Sequence, residues 1–168
     1  MHLLRATFSL LAAATVISGA PTPVEDAPRS PPTKLPGTIH GYPPKDWECK
    51  TSQNKPTTVT FKSDYIKRST DFALKLRDNG DNKAGNSKYP EFFTSPESIP
   101  GLEGYQGAKN VDHFPLNYDG QTVFTGGTPT SDARVVYQHD VGSDEATFIG
   151  VWSHAGRKDG KFEKCTEK

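Results

Sequence analysis

Arg134 and His154 are the side chains in this sequence best suited to chemistry on a phosphate ester. Arg134 lies within Ala133-Arg134-Val135-Val136-Tyr137, and His154 lies within Gly150-Val151-Trp152-Ser153-His154-Ala155-Gly156. Both runs are rich in β-branched and aromatic residues, the composition of strands. A strand-borne guanidinium offers a fixed positive fork to phosphate oxygens. An imidazole on a nearby strand can protonate a departing alkoxide oxygen. Together they supply what a phosphodiesterase needs when it works without a metal. The histidines and cysteines have no metal-ligand spacing, and no helix start carries a phosphate-cradling glycine loop, so no metal or cofactor is expected.

The elements that must position these two residues follow from periodicity. Thr57-Thr58-Val59-Thr60-Phe61 reads as a short strand, and Ser63-Asp64 offer N-cap chemistry for a helix running to about Leu76. Tyr65, Ile66, Phe72, Ala73 and Leu76 recur at near-helical spacing and give that helix one apolar face. Asp78-Asn79-Gly80-Asp81-Asn82 ends it, with Gly80 suited to a left-handed cap. Strands are then expected near 88–92, 111–116, 121–125, 132–138, 146–153 and 161–165, with no further helix. The expected fold class is α+β: one N-terminal helix packed on an antiparallel sheet. Residues 94–110, punctuated by Pro96, Pro100, Gly101, Gly104 and Gly107, form a long loop of the kind that often carries function.

Several local motifs occur in a fixed order: Asn86-Ser87-Lys88-Tyr89-Pro90, Phe114-Pro115-Leu116, Phe124-Thr125-Gly126-Gly127-Thr128-Pro129, Arg134-Val135-Val136, Gly150 to Gly156, and Phe162 to Thr166. This series, covering roughly 57–168, resembles the guanyl-specific fungal ribonucleases. The resemblance implies a microbial-ribonuclease-like fold and a role for each matching residue. Tyr89 would hydrogen-bond the scissile phosphate, and Arg134 would stabilise charge on the pentacoordinate phosphorus. His154 would protonate the leaving 5′-oxygen, and Phe162 would form an apolar wall against water.

Two positions depart from the family. Histidine follows the family's Tyr-Pro step, where this chain has Glu91. Glutamate precedes its aromatic-Pro step, where this chain has His113. The pair that deprotonates the 2′-hydroxyl is thus expected here in transposed order, and either member is chemically able to serve. Base recognition would fall to Glu97, as the base-reading carboxylate, and to Phe93, stacking on the base. Asp112 should point to the opposite sheet face from His113, and His40 and His139 are expected to be uninvolved. The implied partner is single-stranded RNA, cleaved by a monomeric enzyme to a 2′,3′-cyclic phosphate.

The remaining sequence sets the context. Residues 1–20 read as a secretory signal, with Arg5, the apolar run Leu10 to Ile17 and the small residues Ser18-Gly19-Ala20. That run is too short to span a bilayer, and a secreted, extracellular protein is expected. Residues 21–44 carry eight prolines (Pro21, Pro23, Pro28, Pro31, Pro32, Pro36, Pro43 and Pro44) and read as a disordered linker, leaving 45–168 as the domain. Cys49 and Cys165 are expected to form one disulfide in an oxidising compartment. Twenty basic residues balance twenty acidic ones, so no global positive field draws the protein to nucleic acid. Trp47-Glu48-Cys49 is similar to the aromatic-x-Cys motif of ribonuclease-like effectors of plant-pathogenic fungi. That likeness offers a second reading: a non-catalytic module binding RNA or a host protein.

Overall fold

The computed structural model describes residues 38–42, 45–52, 57–139, 145–155 and 161–168. The signal segment and most of the Pro-rich stretch lie outside these described residues, as does Gly156. The architecture is α+β. The strands are β1 (Thr38–His40), β2 (Trp47–Thr51), β3 (Thr57–Phe61), β4 (Glu91–Phe92), β5 (Val111–Pro115), β6 (Ala133–His139), β7 (Glu145–Ser153), β8 (Glu163–Lys164) and β9 (Thr166–Glu167). Among the described residues there is one α-helix, α1, spanning Ser63–Asp78. The main sheet has the order β1-β7-β6-β5-β4, with β8 also on β7, and a small sheet has the order β3-β2-β9.

All main-sheet pairings are antiparallel except β1, which lies parallel to β7 with Ile39 opposite Ala146. Strand β1 belongs to the stretch that composition assigns to the linker. Its single apolar side chain, Ile39, is buried, and the Tyr42 hydroxyl just beyond it donates to Asp71 Oδ1 at 2.9 Å. One buried residue in a proline-rich context gives no periodic signal, so the sheet begins earlier than the sequence suggests.

Helix α1 buries Tyr65, Ile66, Ala73 and Leu74 against the face of β5 and β6 that carries Phe114, Val135 and Tyr137. Its start differs from expectation. Lys62 is the N-cap residue and makes no side-chain cap; the acceptor for the Ser63 amide is Asp46 Oδ1, at 3.0 Å, ahead of β2. Its end conforms: Gly80 has φ +88°, and the Asn82 amide returns to the Leu76 carbonyl at 2.8 Å.

The opposite sheet face is covered by the long loop, which contains two short 3-10 turns, Pro96–Ser98 and Glu103–Tyr105. Ile99 and Leu102 from this loop pack on Val111, Val136 and Trp152. The Trp152 indole N–H donates to the Pro100 carbonyl at 2.9 Å and pins the loop to β7. The loop is therefore the second wall of the domain as well as a surface connection.

Three expected strands are not formed as such. Residues 121–125 make only one bridge, Leu116 to Val123. Their carbonyls are taken by side chains: Tyr65 Oη and Asn117 Nδ2 both donate to Thr122 O, and Arg68 donates to Gln121 O. Within 88–92 only Glu91 and Phe92 pair, because Pro90 has no amide hydrogen and the Tyr89 amide donates to Ser87 Oγ at 3.2 Å. The expected 161–165 strand divides at Cys165: β8 joins β7 and β9 joins β2. Cys165 forms a disulfide with Cys49 of β2, tying the two sheets together.

Candidate active site

Strand alternation places the chemistry on one face. Glu91 of β4 lies directly opposite His113 of β5, and His113 lies opposite Val136 of β6. Arg134, two residues before Val136, pairs with Trp152 of β7, so His154 continues the same face two residues further on. Asp112 points the other way, as expected, and its buried carboxylate is bound by Arg77 at the end of α1. The Arg77 guanidinium also lies 4.0 Å from the centre of the Phe92 ring, coupling the helix end to the strand that carries Glu91.

Tyr89 approaches this face through the segment 84–90. The turn at Gly126 is its seat. At φ +136° a side chain at Gly126 would stand 2.8 Å from the Ala84 carbonyl, a contact only glycine permits. The Ala84 amide in turn donates to the Tyr89 carbonyl at 2.8 Å.

The cluster is close-knit. His113 Nε2 lies 3.3 Å from Glu91 Oε2, and Lys88 Nζ lies 2.8 Å from the same oxygen. Arg134 Nη2 is 3.4 Å from the Tyr89 hydroxyl, and its guanidinium stands over the Tyr89 ring. Arg134 Nη1 donates to the Ser131 and Ala133 carbonyls, both at 2.8 Å, which fixes the guanidinium in place. The Phe162 ring meets His154 edge-on at 5.1 Å and His113 at 6.2 Å, so one aromatic wall serves both imidazoles.

The electrostatics separate the two members of the Glu91–His113 pair. The hydrogen bond from His113, with a further one from Lys88, holds the Glu91 carboxyl down at about 2. Burial pushes His113 below the usual histidine range, against the pull of Glu91. Glu91 is therefore an ionised, half-exposed acceptor, and His113 a buried neutral donor to it. His154 is also lowered, first by burial and then by the Arg134 charge, while Asp132 acts in the opposite direction.

Six of the residues expected from the sequence are thus brought together: Tyr89, Glu91, His113, Arg134, His154 and Phe162. The base-binding candidates are placed differently. Phe93 stacks face to face on His113 at 4.1 Å, so one side of its ring is committed to the imidazole. Glu97 lies on the turn Pro96–Ser98 with no ion pair, ring contact or hydrogen bond to the cluster among the described residues, and its Oε2 is buried without a partner. His40 is exposed near Glu145, and His139 is buried 3.5 Å from Asp78.

Two residues that composition did not single out join the site. Lys88 binds Glu91, and Asp132 Oδ1 lies 3.6 Å from His154 Nδ1. Each is one or two residues from an expected site residue, and spacing alone gives no sign of which way it points.

No protein-family model matches the sequence, and no curated protein matches it either. Among solved structures the fold is similar to restrictocin, described as a highly specific Aspergillus ribotoxin. That likeness has a TM-score of 0.42 at 17% identity, covering 72% of this chain and 99% of the other.

Proposed function

We propose that the protein is a secreted endoribonuclease that cleaves single-stranded RNA without a metal, using a Glu/His pair in transposed order. The observation that carries this reading is the Glu91–His113 contact, 3.3 Å across β4 and β5, in one cluster with Tyr89, Arg134 and His154. Glu91 is the general base. It is ionised at neutral pH, it is the more exposed of the two, and His113 and Lys88 hold its carboxylate in place. His113 is the orienting partner: its Nε2–H points at Glu91, and its Nδ1 is buried without a hydrogen-bond partner among the described residues.

In the first step Glu91 takes the proton of the ribose 2′-hydroxyl as that oxygen attacks phosphorus. Arg134 and the Tyr89 hydroxyl hold the phosphate oxygens while negative charge builds on them. The bond from phosphorus to the 5′-oxygen breaks, and His154 supplies that oxygen with its proton, leaving a 2′,3′-cyclic phosphate. Phe162 keeps water from both imidazoles. For base choice Glu97 is the carboxylate that would accept from the N–H edge of guanine, whereas Phe93 is already stacked on His113.

The commitment of Arg134 Nη1 to main-chain carbonyls favours one other reading, a binding module that holds RNA or a host protein without turnover. Incubation of a guanosine-containing dinucleotide with the purified domain, followed by phosphorus NMR, separates the two. A 2′,3′-cyclic phosphate product from the wild type and none from His154→Ala is expected. Product at buffer level from both ends the enzyme reading.

A further inference from the structure

Asp132 has a position that its neighbours in sequence do not require. It precedes β6 by one residue, and its carboxylate is gripped from one side and offered on the other. On the gripped side Oδ2 accepts the Ser52 amide at 3.0 Å and the Ser52 hydroxyl. Ser52 immediately follows β2, so this contact joins the small sheet to the edge of the site. On the offered side Oδ1 lies 3.6 Å from His154 Nδ1. The backbones agree: the His154 amide faces the Asp132 carbonyl at 3.5 Å. Each atom of the carboxylate thus has a separate task.

Building on the reading of His154 as general acid, we infer that Asp132, clamped by Ser52, is the positioning residue of that acid. Its Oδ1, 3.6 Å from His154 Nδ1, acts as a charge contact that favours the neutral tautomer with the proton on Nδ1. Nε2 is then left as the nitrogen that faces a substrate. A carboxylate beside an imidazole also favours the protonated ring. That matters because the other influences on His154 act the other way. Arg134 on β6 repels the imidazolium, and burial beside the Phe162 ring disfavours it. Asp132 is the one described anionic group beside the ring that offsets them. Without it, a histidine next to the phosphate-binding arginine would lose the proton it has to deliver. Ser52 supplies the rigidity: a carboxylate held by two donors does not swing toward Arg134, whose charge would otherwise attract it.

Two measurements test this. In the wild type above the His154 titration, nitrogen-15 NMR should report the Nδ1–H tautomer, and the Nε2–H tautomer would overturn the inference. In Asp132→Asn, which keeps the shape and an acceptor for Ser52, the His154 titration should move to lower pH. The alkaline limb of kcat/KM should move down with it, and kcat should fall roughly 10-fold to 100-fold. A His154 titration that coincides with the wild type overturns the role. Asp132→Glu restores the charge one methylene away and should recover the titration more fully than kcat. The NMR readings need no turnover. A tautomer and shift as expected in an inactive protein would leave the Asp132–His154 pair standing and remove only the ribonuclease reading.

Discussion

Glu91 Oε2 stands 3.3 Å from His113 Nε2, on directly opposed residues of β4 and β5. Two groups that face each other across one strand pair exchange sides when their identities are swapped, so in the proposed reading a transposed pair keeps both functional groups at one location. His113 lies on the inner strand between β4 and β6, and Glu91 lies on the edge strand, open to a substrate.

Glu91→Gln should therefore lower kcat roughly 10²-fold to 10⁴-fold, the range for loss of a general base. His113→Gln, which keeps an amide donor toward Glu91, should cost less. Dinucleotide cleavage rates check both, and a larger loss in His113→Gln would reassign the base to the histidine.

Lys88 helps to lower the basicity of Glu91. The Glu91 carboxyl is held at about 2, by the His113 hydrogen bond first and the Lys88 bond second, against the upward push of burial. In the proposed mechanism the active form is the carboxylate, so kcat/KM should fall as pH drops through that value. Lys88→Met removes one of the stabilising donors and raises the Glu91 pKa, so the fall should begin at higher pH. The same pair acts on stability. A carboxyl lowered from 4.5 to about 2 on folding contributes stability that is full above 4.5 and lost as pH falls toward 2. Thermal melts across that window should show a smaller loss in Glu91→Gln than in the wild type.

Arg77 should be structural and costly to remove alone. Its Nε lies 3.1 Å from Oδ2 of the fully buried Asp112. Arg77→Met strands that carboxylate and should destabilise the fold by about 3–5 kcal/mol by urea titration. The double change Arg77→Met with Asp112→Leu should recover much of the loss, because the pair is then removed together. If the double variant were worse than the sum of the singles, the pair would be contributing more than its own charges.

Cys49→Ser with Cys165→Ser opens a loop with a sequence separation of 116. The expected loss is at most about 4–5 kcal/mol, from the unfolded-state entropy of so long a loop. Denaturant midpoints with and without reductant measure it in the wild type directly.

Legibility in the sequence followed locality. Helix α1 and strands β5, β6 and β7 were readable because each carries its own periodic signal. The 121–125 segment looked like a strand from Val123 and Phe124, yet its carbonyls bond to Tyr65, Asn117 and Arg68, and that competition is settled far away in the chain. Strand β1 was hidden because its pairing partner lies more than a hundred residues on. In the site, the six clustered residues were readable from motif order. Lys88 and Asp132 were not, since their importance rests on side-chain direction. Phe93 shows the converse: its type suits base stacking, but His113 already occupies one of its faces.

The Cys49–Cys165 bond has a last consequence. Nearly every residue described in the site lies on the ring of chain between the two cysteines. A protease that cuts once anywhere on that ring, including the long 94–110 loop or the 126–130 turn, opens it without releasing a fragment. The nicked chain remains one covalent molecule, with Glu91 and His154 still tethered through the sulfur bridge even when the cut falls between them. Only a cut followed by reduction parts the two halves of the site, so survival among proteases depends on the redox state of the surroundings.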